Sequence, residues 1–242
     1  MHDEIKITYL YNSGFSLELD DCLMVFDYYL DEHNIVSHLI KDKNFKEVYF
    51  FVSHAHFDHF NPIINDFKAS VTKYFMSYDI HKNLPPEAKT VVLNTYDLYK
   101  DDSICVKSFD STDAGISFYV EKNGWKIFHA GDFNWWHWKG DTELNIAFAR
   151  NGFKKQMKRL AGLVSDIAFF PVDSRLEEFS DLGVREFCDK TSVGHLISMH
   201  NVNSPENMHY QKWIVPEDFP NKTKIKSIWS PEHSGQTHII TR

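Results

Sequence analysis

A chain of 242 residues with 34 acidic against 26 basic side chains, a formal net charge of −8, carries no basic run to follow a phosphate backbone, so nucleic acid is not the expected partner. Its 43% apolar and 15% aromatic content is enough for one large core, or for two halves that share one. No apolar stretch approaches the ~18 residues of a bilayer span, and Met1, His2, Asp3 and Glu4 lack the basic-then-apolar build of a secretory leader, so a cytoplasmic protein with no membrane partner is expected.

Ile5, Ile7 and Tyr9, then Phe15, Leu17 and Leu19, alternate about Asn12-Ser13-Gly14, which predicts a strand, a turn and a second strand. A third strand over 22–26 ends on Asp27, either a turn cap or a brace for a neighbouring loop. Helical spacing over 33–43 leads into the apolar run 48–52, read as a buried strand. Just past its end stand His54, Ala55, His56, Phe57, Asp58 and His59. Two histidines one residue apart in extended chain point to the same side and can share one divalent ion. A bend after them would aim Asp58 and His59 at a neighbouring position, again as metal donors.

Pro62 suits the first turn of a helix over about 62–68, and a strand over 71–76 follows. Residues 78–83 read as a short helix stopped by Pro85-Pro86. From 90 to 131 the pattern is all β, with strands over 91–93, 104–109, 116–121 and 125–130 and a hairpin turn at Lys122-Asn123-Gly124. This stretch ends at Gly131-Asp132, where glycine permits close backbone approach and the carboxylate is within reach of a metal. Trp135, Trp136, His137 and Trp138 follow, as the wall of a substrate pocket, a cap over the core, or a contact in a homo-oligomer.

An amphipathic helix is expected over 142–160, a strand over 167–172 ending near Asp173, and a helix over about 179–190. The next strand, 194–199, ends on His200. Ser204-Pro205-Glu206 opens a helix to about 214, a strand over 225–228 comes last, and the tail 229–242 carries no clear pattern. Cys22, Cys105 and Cys188 are widely spaced and odd in number, so reduced thiols are expected.

Taken together, Asp27, the HAHFDH segment at 54–59, Gly131-Asp132 and His200, each at a strand end, resemble the metallo-β-lactamase superfamily over nearly the whole chain. The resemblance implies an α/β fold, a four-layer αβ/βα sandwich of two mixed β-sheets flanked by helices, as one domain with halves of roughly 1–100 and 101–242. It also implies two divalent metal ions, zinc first, with manganese or iron as alternatives. His54 and His56 belong to one position, Asp58, His59 and His200 to the other, with Asp132 between them. The third histidine of the first position is missing, since Ser108 to Gly115 contains none, and Asp113 is the expected replacement; otherwise Asp113 is a turn cap. His129, His137, His195, His209 and His233 are expected to be structural, His137 being the best placed to reach the site.

The activity so implied is that of a metal-dependent hydrolase, similar to the ascorbate-6-phosphate lactonase type, which cleaves a small ester, lactone or phosphodiester with a metal-activated water. Asp58 would orient that water or take its proton. Two rivals are a nucleic-acid phosphodiesterase, against which the acidic balance counts, and a non-catalytic metal-binding protein, which the missing histidine favours. A redox role like that of flavodiiron relatives is disfavoured, because those resemble H-x-E-x-D where this chain has His56.

Overall fold

A computed structural model describes residues 3–201 and 212–242. The chain opens as a meander of β1 (Glu4–Tyr11), β2 (Gly14–Leu19) and β3 (Cys22–Phe26), crosses through α1 (Ile35–Asp42), and adds β4 (Glu47–Val52), β5 (Lys73–Ser77) and β6 (Thr90–Leu93) in parallel. A second meander, β7 (Leu98–Lys100), β8 (Cys105–Asp110), β9 (Ile116–Lys122) and β10 (Trp125–His129), is followed by α2 (Glu143–Leu160). Then β11 (Val164–Pro171), α3 (Leu182–Lys190), β12 (Ser192–Met199) and β13 (Ser227–Trp229) extend it in parallel. The last strand, β14 (Thr237–Thr241), pairs antiparallel with β1. Two seven-stranded mixed sheets result, ordered β14-β1-β2-β3-β4-β5-β6 and β13-β12-β11-β10-β9-β8-β7.

The apolar run of β4 is explained by its position between two layers. Tyr49 and Phe51 face the core between the sheets, while Val48, Phe50 and Val52 face outward into a cluster with Val36 of α1. Across the core Phe51 meets Phe118 edge-on at 5.4 Å, and Phe15 packs on Phe169 at 4.6 Å. On the outer face of the second sheet Phe153 of α2 stacks on Phe133, and Phe187 of α3 on Phe128. The parallel strands β3, β4, β10, β11 and β12 all end toward the same edge, and their carboxyl ends carry the residues of the site.

Several expected elements differ. Residues 78–83 form no helix, because Tyr78 N–H bonds back to Leu93 O beside the sheet and the local turn closes only from Ile80 to Ser77. The segment after Pro62 is a tighter 3-10 helix, Pro62–Phe67, capped by the Asn61 side chain. Another 3-10 turn, Ser174–Phe179, precedes α3, which starts at Leu182 rather than 179. The all-β stretch 90–131 is divided between the sheets, with β6 in the first. Two strands escaped the sequence pattern: β7 is short, and β14 is fixed only by its pairing with a strand more than 200 residues earlier. The helix expected from Ser204 and His209 lie, up to residue 211, outside the described residues. No helix among the described residues is long and apolar enough to cross a membrane, and the three cysteines are free thiols.

Candidate metal centre

The site is built on Ser53, between the end of β4 and the histidine segment. Asp27, fully buried, accepts hydrogen bonds from Ser53 N–H (2.8 Å), Ser53 Oγ–H (2.7 Å) and His59 Nδ1–H (2.8 Å). With its own proton given to Asp27, Ser53 Oγ is left to accept from His54 Nδ1–H at 2.9 Å. Asp27 therefore fixes both histidines with Nε2 facing inward. Asp27 and His200 both have positive φ, 42° and 57°, strain that the surrounding contacts hold in place.

Inside this frame Asp132 is the meeting point. Its Oδ2 lies 3.3 Å from His54 Nε2, and its Oδ1 lies 3.1 Å from His59 Nε2 and 3.5 Å from His200 Nε2. Three overlapping groups of donor atoms, each within 4.8 Å of one another, emerge: His54, His59 and Asp132; Asp58, His59 and His200; His56, Asp113 and Asp132. His200 Nδ1–H is held by Asp173 at 3.1 Å, and Asp173 is in turn gripped by Arg175, whose Nε lies 2.9 Å from each carboxylate oxygen. Asn12 fastens the segment from the far side, donating from its side chain to Asp58 (3.0 Å) and accepting from His200 N–H (3.1 Å) at its carbonyl.

The electrostatics are those of a buried charge-paired cluster. Burial favours neutral His59, but the facing Asp132 and Asp27 carboxylates outweigh it and raise its pKa well above the usual value. For Asp132 burial is likewise opposed, by His59, His200 and His54, and its carboxyl falls well below the ordinary range. His59 Nε2 and Asp132 Oδ1 are buried and, although 3.1 Å apart, are not aligned for a hydrogen bond with each other or with any other described group. Leaving such atoms unsatisfied costs ~1–3 kcal/mol each, and a divalent ion among imidazole and carboxylate donors would satisfy both. The residues present therefore fit a metal ion.

Asp113 reaches the cluster because of Gly115. Its φ is +64°, and a Cβ there would stand 2.0 Å from Ser53 O and 2.5 Å from His54 Cβ. Ile116 N–H bonds the same Ser53 carbonyl at 2.9 Å, so the turn carrying Asp113 is pressed against the histidine segment. Gly131 abuts Ser53 from the other side, with a virtual Cβ 2.8 Å from Ser53 Cβ.

Above the donors opens a cavity of about 640 Å³. Trp136, whose indole N–H donates to Asp132 O at 3.0 Å, lines it, as do Trp138 and Arg175. Trp135 and His137, expected as pocket wall, do not: Trp135 stacks on Phe153 of α2 and His137 on Phe179, because the loop turns both toward the outer helices. His129, His195 and His233 bond Ser13 O, Ser227 and Ser234 O respectively, as structural residues do. Sequence reasoning missed Ser53, Asn12, Asp173, Arg175 and the α2 residues Asn145 and Phe148. Asp173 alone had a signal, as an acidic residue closing a buried strand like Asp27.

No protein-family model and no curated protein sequence matches the chain. Its architecture does match solved structures. Igni18, a metallo hydrolase of Ignicoccus hospitalis, superposes with a TM-score of 0.65 over 99% of both chains at 18% identity. YhfI of Bacillus subtilis, a metallo-β-lactamase-fold protein, gives 0.58 over 98% of this chain and 99% of that one at 12% identity. The fold is that of the metallo-β-lactamases. The diiron β-hydroxylase CmlA of Streptomyces venezuelae matches as well, with a TM-score of 0.57 at 9% identity over all of this chain and 55% of that longer one. A metallo-β-lactamase fold thus accompanies different named chemistries, and function must be argued from the side chains.

Proposed function

We propose that the protein is a metal-dependent hydrolase that cleaves a small ester, lactone or phosphodiester. The observation that carries this reading is the orphaned pair His59 Nε2 and Asp132 Oδ1, at the centre of three overlapping donor groups on the floor of an open cavity. His54, His56, Asp113 and Asp132 would hold one divalent ion, and Asp58, His59 and His200, with Asp132 shared, a second. Zinc, manganese or iron suits such a mixed donor set. Bound there, the ions would acidify a water and polarise the scissile carbonyl or phosphoryl oxygen.

The chain's own residues do the rest. Asp58 is partly exposed, faces the cavity, and has one oxygen steadied by Asn12. It is the group placed to orient the attacking water and take its proton. Asp27, Ser53 and Asp173 accept the outer Nδ1 protons, so that Nε2 is the nitrogen each histidine would offer to an ion. Trp136, pinned to Asp132, closes one side against bulk water.

The test is turnover of p-nitrophenyl acetate, a γ-lactone and bis(p-nitrophenyl) phosphate by protein stripped with chelator and reloaded with zinc or manganese. Metal-dependent hydrolysis of at least one is expected, falling on the order of 100-fold or more in Asp58→Asn. Full metal loading with no turnover of any would make the protein a binding module instead.

A further inference from the structure

We infer that the molecule taken by this site carries a flat, unsaturated group, an aryl or fused-ring acyl or leaving group, seated on aromatic surfaces that both halves of the fold supply. This rests on the hydrolase reading only for what happens to the bond. The loops of the first sheet give Tyr11, Tyr29 and Phe57 as a continuous surface, with ring centroids 5.8 Å and 5.7 Å apart in succession. The loops of the second give Trp136 and Trp138, stacked at 6.2 Å with planes 9° apart. The Arg175 guanidinium lies over the Trp138 ring, 5.6 Å from its centre, and lines the same cavity. Phe148 joins from α2, and all six rings line the one cavity.

A core explanation fails for three of them. Phe57 is 62%, Phe148 80% and Trp138 39% exposed, so each leaves an apolar face in water at the cavity mouth. Phe57 and Trp138 are nonetheless set in place, Trp138 by its stack on Trp136. Phe57 is flanked by His56 and Asp58 and rests on Tyr29, and the Trp136 ring is fixed by its bond to Asp132 O, edge-on to His200 at 5.5 Å. Rigid rings placed before binding lower the ordering cost for a ligand, and stacking favours a flat partner over a puckered one of equal area. At about 640 Å³ the cavity holds a ligand of drug size, not only an acetyl-sized one.

The experiment titrates 2-naphthoate and decahydro-2-naphthoate, alike in charge and carbon skeleton, into the protein as purified, by calorimetry. The flat acid is expected to bind roughly tenfold tighter or more. Trp138→Ala and Phe57→Ala should each remove most of that preference, weakening 2-naphthoate binding more than decahydro-2-naphthoate binding. Equal affinities, absence of binding by either acid, or a preference that survives in both variants would overturn the inference. Flat-ligand preference without turnover of any naphthyl ester would support it while refuting the hydrolase reading. Equal turnover of alkyl and naphthyl esters would do the reverse.

Discussion

At the inner end of the donor cluster each ligand is held from behind: Asp27 takes the His59 Nδ1–H, Asp173 that of His200, and the Asn12 amide grips Asp58. At the outer end only His54 is braced, by Ser53 Oγ at 2.9 Å; among the described residues exposed His56 meets only His54 Nε2, at 3.0 Å, and the exposed Asp113 carboxylate accepts no hydrogen bond. Asp132 belongs to both ends. The fold has organised one position in advance and leaves the other to be completed by what binds there. Prior organisation of outer partners commonly changes metal affinity by ~10–100-fold, so the two ends should differ in affinity by about that much.

The comparison breaks most severely at Asp132. Asp132→Ala removes the donor shared by both ends, and activity should fall by more than about a thousandfold, beyond the ~10–100-fold typical of an outer partner. Metal content measured on the same sample should drop at both positions. Asp27→Ala attacks the inner end directly, through His59, and the outer end indirectly, through Ser53 and His54. It strips an acceptor from Ser53 N–H, Ser53 Oγ–H and His59 Nδ1–H, all buried, and should cost the metal-free protein about 3 kcal/mol in urea unfolding. Loss of the inner ion should accompany it, with a smaller weakening of the outer one, whose His54 is oriented through Ser53.

A smaller effect sharpens the comparison through pH. His59 and His200 both titrate above their ordinary value in the metal-free protein: burial works against this, and the carboxylates of Asp132, Asp27 and Asp173 prevail. A raised folded pKa gives stability that is fully present below the unfolded value, about 6.5, and is lost as pH rises through the folded one. The urea midpoint of metal-free protein should therefore decline from pH 6.5 to 9. On the acid side the lowered Asp27, Asp132 and Asp173 give stability that is present above about pH 4 and is lost as pH falls through their folded values. Zinc-loaded protein should show the opposite trend above pH 6, since bound imidazoles must stay unprotonated. A midpoint of metal-free protein that climbs from pH 6.5 to 9 would mean that the histidines are neutral and the cluster is not charge-paired.

What the sequence disclosed of this site follows the same division. Asp27, His54, His59, Asp132 and His200 are ligand-type residues at the ends of apolar strands, a placement that period-two patterning makes visible. The sandwich was legible for the same reason, since buried parallel strands read as unbroken apolar runs. Ser53 and Asn12 were not, because serine and asparagine occur in every turn and their task appears only when distant segments meet. The cavity walls were least legible. Among Trp135, Trp136, His137 and Trp138, which rings face the cavity depends on how one loop crosses α2, and Phe148 reads as an ordinary helix residue.

The central claim is that the two ends are unequal and that Asp113 completes the weaker one. Elemental mass spectrometry during a competitive chelator titration of wild type and Asp113→Ala tests it directly. Two ions per wild-type chain are expected, the first removed at roughly 10–100-fold lower chelator strength than the second, and one tightly held ion in the variant. Two ions retained in Asp113→Ala with unchanged affinities, or the loss of both together, would contradict it.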